Sequence, residues 1–417
     1  MVICRKRHDA IFHENSDCSL ATNHFSQITT HDALVIYLDY NATTPLAPQV
    51  VAAMRPYFEE FHGNPSSIHT AGRRTRAAID DSRDQLARIL GAKSHEIIFT
   101  GGGTEADNLA ILGLARRRAA DGGGRHIITC ATEHHAVLHA FEWLALREGF
   151  SITVLPVDAH GRLDPARLQD ALTAETALVS VMSANNETGV RQPVAELSAI
   201  CRKRGVFFHT DAIQTFGKEP LPPLGASSFD AVSLAAHKFY GPKGVGALWL
   251  RGGISIDRTA LGGSHEGDRR AGTENVPGIV GMAAAAQLAL EGMAAETERL
   301  HALRERLWQG VSALSPSAQR NGASEHALAN TLNVSFPGLD GESLHISLDL
   351  AGLCVSSGSA CMVGSIQPSH VLLAMGVAPE VAQATVRFSL GKMTTAAEIE
   401  DALLRIGPVL ARLSAIG

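Results

Sequence analysis

The sequence predicts an α/β protein whose main sheet is mostly parallel. From Val35 onward, short apolar segments alternate with segments whose apolar residues have helical spacing. Several of the apolar segments are continuous and β-branched, as in strands that are buried on both faces. This alternation is typical of α/β domains. Polar residues also cluster directly after the strands, where ligands bind in open α/β sheets.

A larger domain, residues 48–293, is predicted to carry seven strands with helices between them. The predicted strands are 96–100, 126–131, 151–157, 177–183, 206–211, 231–235 and 245–250. The predicted helices are 105–119, 135–148, 165–172 and 194–203.

The pattern changes after a long amphipathic segment, 294–314, which is predicted to be a connecting helix. Shorter strands, 331–336 and 385–390, then mix with helices. We therefore expect a smaller α+β domain, formed by 34–47 together with 294–417.

The composition excludes several classes of protein. The chain has 417 residues, 45% of them hydrophobic and 19% charged, which allows a buried core and is too apolar for general disorder. With 36 basic and 42 acidic side chains, the net charge is −6, so no broad nucleic-acid surface is expected. No apolar run reaches the ~18 residues that span a bilayer, so no membrane span is expected. Six cysteines in so long a chain indicate a reducing, cytoplasmic compartment rather than a disulfide framework.

The first 33 residues differ from the rest of the chain. They are polar, rich in histidine and without clear period, and they lack the apolar stretch of a secretory signal. Acidic residues such as Asp9 and Glu14 also argue against a mitochondrial transit peptide. We expect a disordered extension, or a start codon assigned too far upstream.

The first candidate for ligand binding is the turn 101–103, three glycines between a predicted strand and a predicted helix. Glycines let the backbone approach a phosphate, and a helix N-terminus supplies free N–H groups and a favourable dipole. Thr104 is predicted to cap this helix in a capping box with Asp107. A tight turn without a ligand explains the motif equally well, and the motif is not the dinucleotide fingerprint.

Two further strand ends carry residues that suit cofactor chemistry. Asp211 ends an apolar strand, and a buried carboxylate needs a partner such as a protonated ring nitrogen. Lys238 follows another strand ahead of a Gly/Pro turn, and a lysine held in a site can lose its proton and form a Schiff base. Taken singly, an N-capping aspartate and a solvated loop lysine are the simpler interpretations.

Cys361 lies among the small residues 356–360, which predicts a mobile loop that presents a reactive thiol. The other cysteines of the domains, Cys130, Cys201 and Cys354, are predicted to be small buried hydrophobes. One of the adjacent His134 and His135 is expected to stack on a ligand, because neighbouring histidines rarely share a metal. No cluster has convincing metal-ligand spacing, so no metal site is predicted.

From about Tyr37 to the C-terminus, these motifs resemble the class-V aminotransferase family of pyridoxal phosphate (PLP) enzymes. More closely, they resemble cysteine desulfurases of the NifS/IscS type, in the branch with a long catalytic loop. The landmarks are YLDYNATTP at 37–45, NPSSIH at 64–69, GGTE at 102–105, TEHH at 132–135, NNETG at 185–189, HTD at 209–211, HK at 237–238, RAGTEN at 270–275, SSGSAC at 356–361 and RFSLG at 387–391. The resemblance implies the PLP-dependent transferase fold of type I, with a seven-stranded sheet in the large domain.

The resemblance also implies roles for individual residues. Lys238 would hold PLP as a Schiff base and then take the substrate's Cα proton, and Asp211 would keep the ring nitrogen protonated. His134 would stack on the ring. Whether it also takes part in proton transfer stays open. Arg387 would grip the substrate carboxylate, a task that suits a bidentate guanidinium, with Asn185 as a second substrate contact.

Further contacts to PLP are implied in the same way. The ring hydroxyl would be held by Asn185 and Gln214, and the phosphate by Gly103, Thr104 and His237. Thr273 would reach the phosphate of a partner subunit, so a homodimer is expected.

The implied reaction removes sulfur from L-cysteine and leaves L-alanine. The Cys361 thiolate would attack the substrate sulfur, keep it as a persulfide and pass it to an acceptor protein, such as a scaffold for iron–sulfur cluster assembly. The acceptor, and the preference for sulfur over selenium, stay open.

The sequence departs from the family pattern at two places. The family usually has a phosphate-binding serine three residues before the Schiff-base lysine, and this chain has Ala235 there. We therefore expect weaker cofactor retention. Housekeeping members also carry a longer C-terminal tail that docks the scaffold protein. This chain ends at Gly417, 30 residues after Arg387, so we do not expect it to dock a scaffold through such a tail.

Two rival functions fit the same motifs. Another enzyme of this fold, such as a selenocysteine lyase or an aminotransferase, would use Lys238 and Asp211, but an aminotransferase has no need of Cys361. A non-catalytic sulfur carrier that kept the fold would have no need to retain Lys238, Asp211 and Arg387 together.

Overall fold

The computed structural model describes residues 35–357 and 368–415. Its strands are β1 (Ile36–Tyr37), β2 (Ile97–Thr100), β3 (His126–Cys130), β4 (Ser151–Leu155), β5 (Thr176–Ser180), β6 (Phe207–Asp211), β7 (Ala231–Ala235), β8 (Gly246–Leu250), β9 (Gln319–Asn321), β10 (Thr331–Ser335), β11 (Leu353–Cys354) and β12 (Thr385–Ser389). Its helices are α1 (Pro48–Met54), α2 (Pro56–Glu59), α3 (Thr70–Leu90), α4 (Gly103–Ala120), α5 (His135–Glu148), α6 (Pro165–Ala171), α7 (Val194–Arg204), α8 (Val276–Leu290), α9 (Met293–Leu314), α10 (Gly341–Leu350), α11 (His370–Ala374), α12 (Pro379–Gln383) and α13 (Ala396–Ser414).

The predicted α/β class and the seven-stranded, mostly parallel sheet are confirmed. The strand order is β2-β8-β7-β6-β5-β3-β4, and only β8 runs antiparallel to its neighbours β2 and β7. The strands β3, β5 and β7 are buried along their whole length, which accounts for their continuous apolar sequences. The parallel strands β3, β5, β6 and β7 therefore end at one edge of the sheet.

Local signals explain where the helices next to the site begin and end. The helix α5 starts after His134, whose side chain accepts a hydrogen bond from the Ala136 N–H, and it stops at Gly149 in the left-handed conformation (φ 71°). The predicted capping box at Thr104 is wrong. The helix α4 is capped by Gly102 without a side-chain bond, and Asp107 is fully buried inside the protein.

A second hydrophobic core lies apart from the core of the main sheet. It is formed around the antiparallel sheet β12-β10-β9 and joins residues from both ends of the described chain, among them Leu38, Leu307, Val334, Phe388 and Ile406. The division into a large domain at 48–293 and a small one at 34–47 with 294–417 stays a proposal, which these separate cores support.

The segment that follows β1 connects the two cores. The Asp39 backbone pairs with Ser389 at the end of β12, and the Thr44 N–H donates to the His237 carbonyl at 2.9 Å. Residues 39–44 therefore lie directly against the edge of the main sheet where Lys238 is found.

Within the described residues, no single helix is long and apolar enough to cross a membrane. The consecutive pair α8 and α9 passes that test only when taken together, and it is bent by 73°. The extension 1–33, for which disorder was one expectation, lies outside the described residues.

Candidate active site

A cavity of about 400 Å³ lies at the carboxyl ends of the parallel strands. Most of the site residues predicted from the sequence line it. These are Gly103, Thr104, His134, Asp211, Gln214, His237, Lys238 and Arg387.

Lys238 follows β7 in a short helical turn and is partly buried. Its ε-amine donates to two backbone carbonyl oxygens, that of Asn41 at 2.6 Å and that of Ala42 at 2.9 Å. Burial, and then the positive charge of Arg387, lower the pKa of this amine to about 8, while the charges of Asp211 and Asp39 act to raise it. An amine with this pKa is neutral in an appreciable fraction of molecules near pH 7, as a nucleophile or base requires.

Asp211 ends β6 at the floor of the cavity. Its Oδ1 atom accepts a hydrogen bond from the Ile213 N–H at 2.8 Å, which leaves the second carboxylate oxygen for a group in the cavity. Burial raises its pKa to about 6. A cationic N–H placed against this oxygen would hold the carboxyl group in its ionised form.

A second carboxyl group, that of Asp107 on α4, lines the same cavity. It is fully buried, and the His209 Nε2 atom lies 3.7 Å from its Oδ1 atom. Burial, and then the nearby charge of Asp211, raise its pKa well above the ordinary value. Burial therefore favours the protonated form of the Asp107 carboxyl group.

The N-terminus of α4 forms one end of the cavity at Gly103 and Thr104. The first N–H groups of a helix have no partner inside it, and the dipole favours an anion there. A Cβ at position 103 would collide with the end of the Ile213 side chain, so a larger residue where the helix starts would require that side chain to move. The His237 ring and the methyl group of Ala235 also lie on this cavity wall.

His134 occupies the wall next to Lys238. Its Nδ1 atom accepts a hydrogen bond from the Ala136 N–H at 3.1 Å, so the ring proton is on Nε2. Burial, and then the charge of Lys238, lower its pKa to about 4. The imidazole is therefore neutral at pH 7 and can donate only through Nε2.

The structure places Asn186, and not Asn185, on the cavity wall. The Asn185 amide is used inside the protein: Nδ2 donates to the Thr132 carbonyl at 2.9 Å, and Oδ1 accepts from the Glu187 and Thr188 N–H groups at 2.9 Å. The implied roles of Asn185 at the ring hydroxyl and at the substrate are therefore corrected, because both ends of its amide are already engaged.

Arg387, on β12, reaches the cavity from the other hydrophobic core and is 5% exposed. Its Nη2 atom pairs with Asp39 Oδ1 at 2.7 Å, and Nη1 donates to the Asn186 carbonyl at 3.0 Å. Among the described residues, its buried Nε–H has no hydrogen-bond partner.

Two predicted residues lie outside this cavity. Thr273 lines a separate, smaller one together with Gly101 and Arg270. Cys361 lies outside the described residues, although Ser356 and Ser357, shortly before it, line the main cavity. Cys130 and Cys201 are buried as predicted, whereas Cys354 is only partly buried.

Several residues of the site were not found from the sequence. Asp39, Asn41 and Ala42 belong to the YLDYNATTP segment. This segment is part of the family resemblance, but the sequence predicted no role for these three residues. Asp107 and Asn186 were named only within motifs. Contacts to distant parts of the chain give these residues their roles, and such contacts leave no local pattern.

Comparison with known proteins gives consistent results. The family model described as aminotransferase class-V matches residues 36–402. A cysteine desulfurase IscS from Dictyoglomus turgidum is 47% identical over 381 residues, which cover 91% of this chain and 96% of that protein.

Solved structures agree with this chain over most of its length. A NifS-like protein superposes with a TM-score of 0.85 and 37% identity, covering 91% of this chain and 100% of that one. The structure of SspA in complex with cysteine gives a TM-score of 0.74 and 33% identity, covering 85% and 98%.

Proposed function

The chain belongs to the class-V aminotransferase family, and we propose that it is a PLP-dependent cysteine desulfurase. Its substrate would be L-cysteine, its product L-alanine, and the sulfur would remain as a persulfide on Cys361. The observation that carries this proposal is the single cavity in which the Lys238 amine, the Asp211 carboxyl group and the Arg387 guanidinium face one another. The cysteine desulfurases of this family are PLP enzymes, and the residues present fit that cofactor.

The fit rests on groups on the cavity wall that suit three parts of the cofactor. Asp211 has a free carboxylate oxygen for the ring nitrogen, and the free N–H groups at Gly103 and Thr104 suit the phosphate. Lys238, with its lowered pKa, suits the aldehyde. When bound, PLP supplies a ring that stabilises negative charge at the substrate's Cα atom.

The side chains of the protein would carry out the other steps. Arg387 would bind the substrate carboxylate, with Asp39 fixing the guanidinium. Lys238 would take the Cα proton and return it, since its amine is neutral in a usable fraction of molecules. His134 would pack on the ring as a neutral imidazole.

Cys361 would accept the sulfur atom. Its thiolate would attack the substrate sulfur, forming the S–S bond while the C–S bond breaks, and the electron pair released to the carbon skeleton would be protonated to give alanine. Ser357 lines the cavity and Cys361 is four residues further along the chain, a span of at most about 14 Å.

The homodimer, the sulfur acceptor and the cellular location are further parts of this proposal. A homodimer, in which Thr273 reaches a partner's phosphate, fits with the position of Thr273 outside the cavity of its own chain. A sulfur acceptor, such as an iron–sulfur scaffold, and a cytoplasmic location would suit a persulfide that needs a reducing compartment.

The test is to incubate PLP-loaded protein with L-cysteine and no reductant. We expect alanine in solution and one added sulfur on the Cys361 peptide by mass spectrometry. Cys361→Ala should abolish both products and keep the visible absorbance of the cofactor, whereas Cys354→Ala, a matched thiol control on β11, should keep both. Full alanine release by Cys361→Ala would contradict the proposal and would favour a lyase that does not use Cys361.

A further inference from the structure

A second cavity, which we call the outer cavity, lies at the start of α4. It has a volume of about 850 Å³ and shares Gly103, Thr104 and His237 with the active-site cavity. These are the three residues that the family resemblance assigns to the phosphate of PLP. The phosphate end of the site is therefore continuous with the outer cavity, so a further residue on the outer wall could reach the phosphate.

Lys243 lies on this outer wall. Of the described residues that line the outer cavity, it is the only lysine or arginine. It follows Lys238 by five residues, in the turn before β8, and it is exposed to solvent. Within the described part of the chain, Lys243 makes no hydrogen bond or ion pair. Its charge is therefore available to an anion in the cavity.

Backbone packing holds the turn of Lys243 against the other residues of the phosphate end. The strand β8 begins at Gly246, whose register partners are Thr100 at the end of β2 and Ala235 at the end of β7. A Cβ on Gly246 would lie 2.7 Å from the Gly102 carbonyl carbon, so these two backbones are in direct contact. Because β8 runs antiparallel to both neighbours, Lys243 enters it from the edge where β2 and β7 end.

The other titratable groups on this wall do not provide a cation for the phosphate. The Glu105 carboxylate is paired with Arg270, whose Nε atom lies 2.8 Å from Glu105 Oε1. Burial, and then the charges of Lys238 and Lys243, lower the pKa of His237 to about 4, so its imidazole is neutral at pH 7. A phosphate monoester carries about −1.5 to −2 charges at pH 7. Lys243 can balance part of that charge.

The same wall lacks a hydroxyl group that the family usually has. The methyl group of Ala235 takes its place, next to the start of α4: a Cβ at position 103 would lie 3.3 Å from that methyl carbon. The phosphate therefore loses a donor on the side of β7. A cation in the turn between β7 and β8 is placed to make up for it.

We propose that Lys243 binds the phosphate of PLP and partly offsets the missing hydroxyl group at position 235, an inference that rests on the function proposed above. The contact joins an ammonium group to a phosphate oxygen at the solvent-facing end of the site. Lys243 is a binding residue and takes no part in the proton transfers of Lys238. Because its amine is exposed, salt screens the attraction.

The experiment measures the binding of PLP and of pyridoxal to cofactor-free protein by equilibrium dialysis, at low and at high salt. Pyridoxal has the same ring and aldehyde but no phosphate. Lys243→Met and Lys243→Gln should weaken PLP binding about 5-fold at low salt, the value of an exposed ion pair, and leave pyridoxal binding unchanged. High salt should shrink the difference.

Two further variants serve as controls. Lys243→Arg keeps the charge and should keep most of the affinity for PLP. Lys203→Met removes an exposed lysine from α7 and should bind PLP like the wild type. An equal loss in Lys203→Met would show a general effect of net charge and would overturn the inference, and so would an equal loss in Lys243→Arg.

The Met and Gln variants decide the main question. Wild-type affinity for PLP in both overturns the inference. Equal losses for PLP and pyridoxal also overturn it, because they would show that Lys243 supports the fold of the site rather than the phosphate. A loss that sedimentation shows to accompany a changed oligomeric state overturns it as well. A wild-type protein that binds no PLP would instead contradict the proposed function.

Discussion

The ε-amine of Lys238 lies 2.6 Å from the backbone carbonyl oxygen of Asn41, a residue 197 positions earlier in the chain. The Ala42 carbonyl accepts a second bond from the same amine at 2.9 Å. A neutral amine has two N–H donors and one lone pair, so two carbonyl acceptors leave the lone pair for the cavity. The segment 41–42 therefore holds the amine ready to act as a nucleophile or base.

His134 is expected to combine a structural and a binding role, which two substitutions separate. His134→Asn keeps an N-cap for α5, whereas His134→Ala loses it at a cost of about 1 kcal/mol in the free energy of unfolding. Both lose the ring, and PLP should dissociate about 2- to 10-fold more readily. Urea unfolding and a cofactor titration measure the two effects. Wild-type affinity for PLP in His134→Asn would exclude a stacking role.

Arg387 is expected to bind the substrate carboxylate. Arg387→Lys keeps the charge but loses the planar fork, so the KM for cysteine should rise about 10- to 100-fold while the cofactor absorbance stays unchanged. Asp39→Asn should cause a smaller rise, because it only loosens the guanidinium. Steady-state kinetics measure both. Arg306→Lys, in an exposed pair with Glu400, is the control, and an unchanged KM in Arg387→Lys would contradict this role.

Ala235 is expected to limit cofactor retention. Its methyl group lines the cavity wall near the start of α4, where a serine hydroxyl could donate to the phosphate. Ala235→Ser should tighten PLP binding about 10-fold, the value of one charge-assisted hydrogen bond of roughly 1.5 kcal/mol. Equilibrium dialysis measures the dissociation constant. Ala184→Ser makes the same change elsewhere on the cavity wall and should have no such effect. Equal or weaker affinity in Ala235→Ser would count against a missing phosphate contact.

Asp107 is expected to be a neutral acid that costs stability as the pH rises. Its folded-state pKa is raised above the unfolded value, so its contribution to stability is fully present below about pH 4 and is lost progressively above it. Asp107→Asn mimics the neutral form and should gain stability relative to the wild type between about pH 5 and about pH 8. Urea unfolding of the cofactor-free protein at both pH values tests this. The exposed Asp81→Asn is the control, and a difference that does not grow with pH would show that Asp107 is ionised.

The amino-acid sequence by itself determined the layers of the protein and the strand ends that carry its chemistry. The apolar runs of β3, β5 and β7 and the helical spacing of α5 are local patterns, because burial on one or both faces repeats every two or 3.6 residues. Asp211 and Lys238 could be found because parallel strands bring their carboxyl ends to one edge.

Tertiary structure alone decided which polar atoms face the cavity. Thr132 takes the Asn185 amide N–H, so Asn186 faces the cavity in its place. Asp39 orients Arg387, and Lys218 and Gln214 meet at Asn41, across separations of well over 100 residues. A hydrogen bond depends on the direction and partner of each group in space, and neither is encoded in the periodicity of the chain around it.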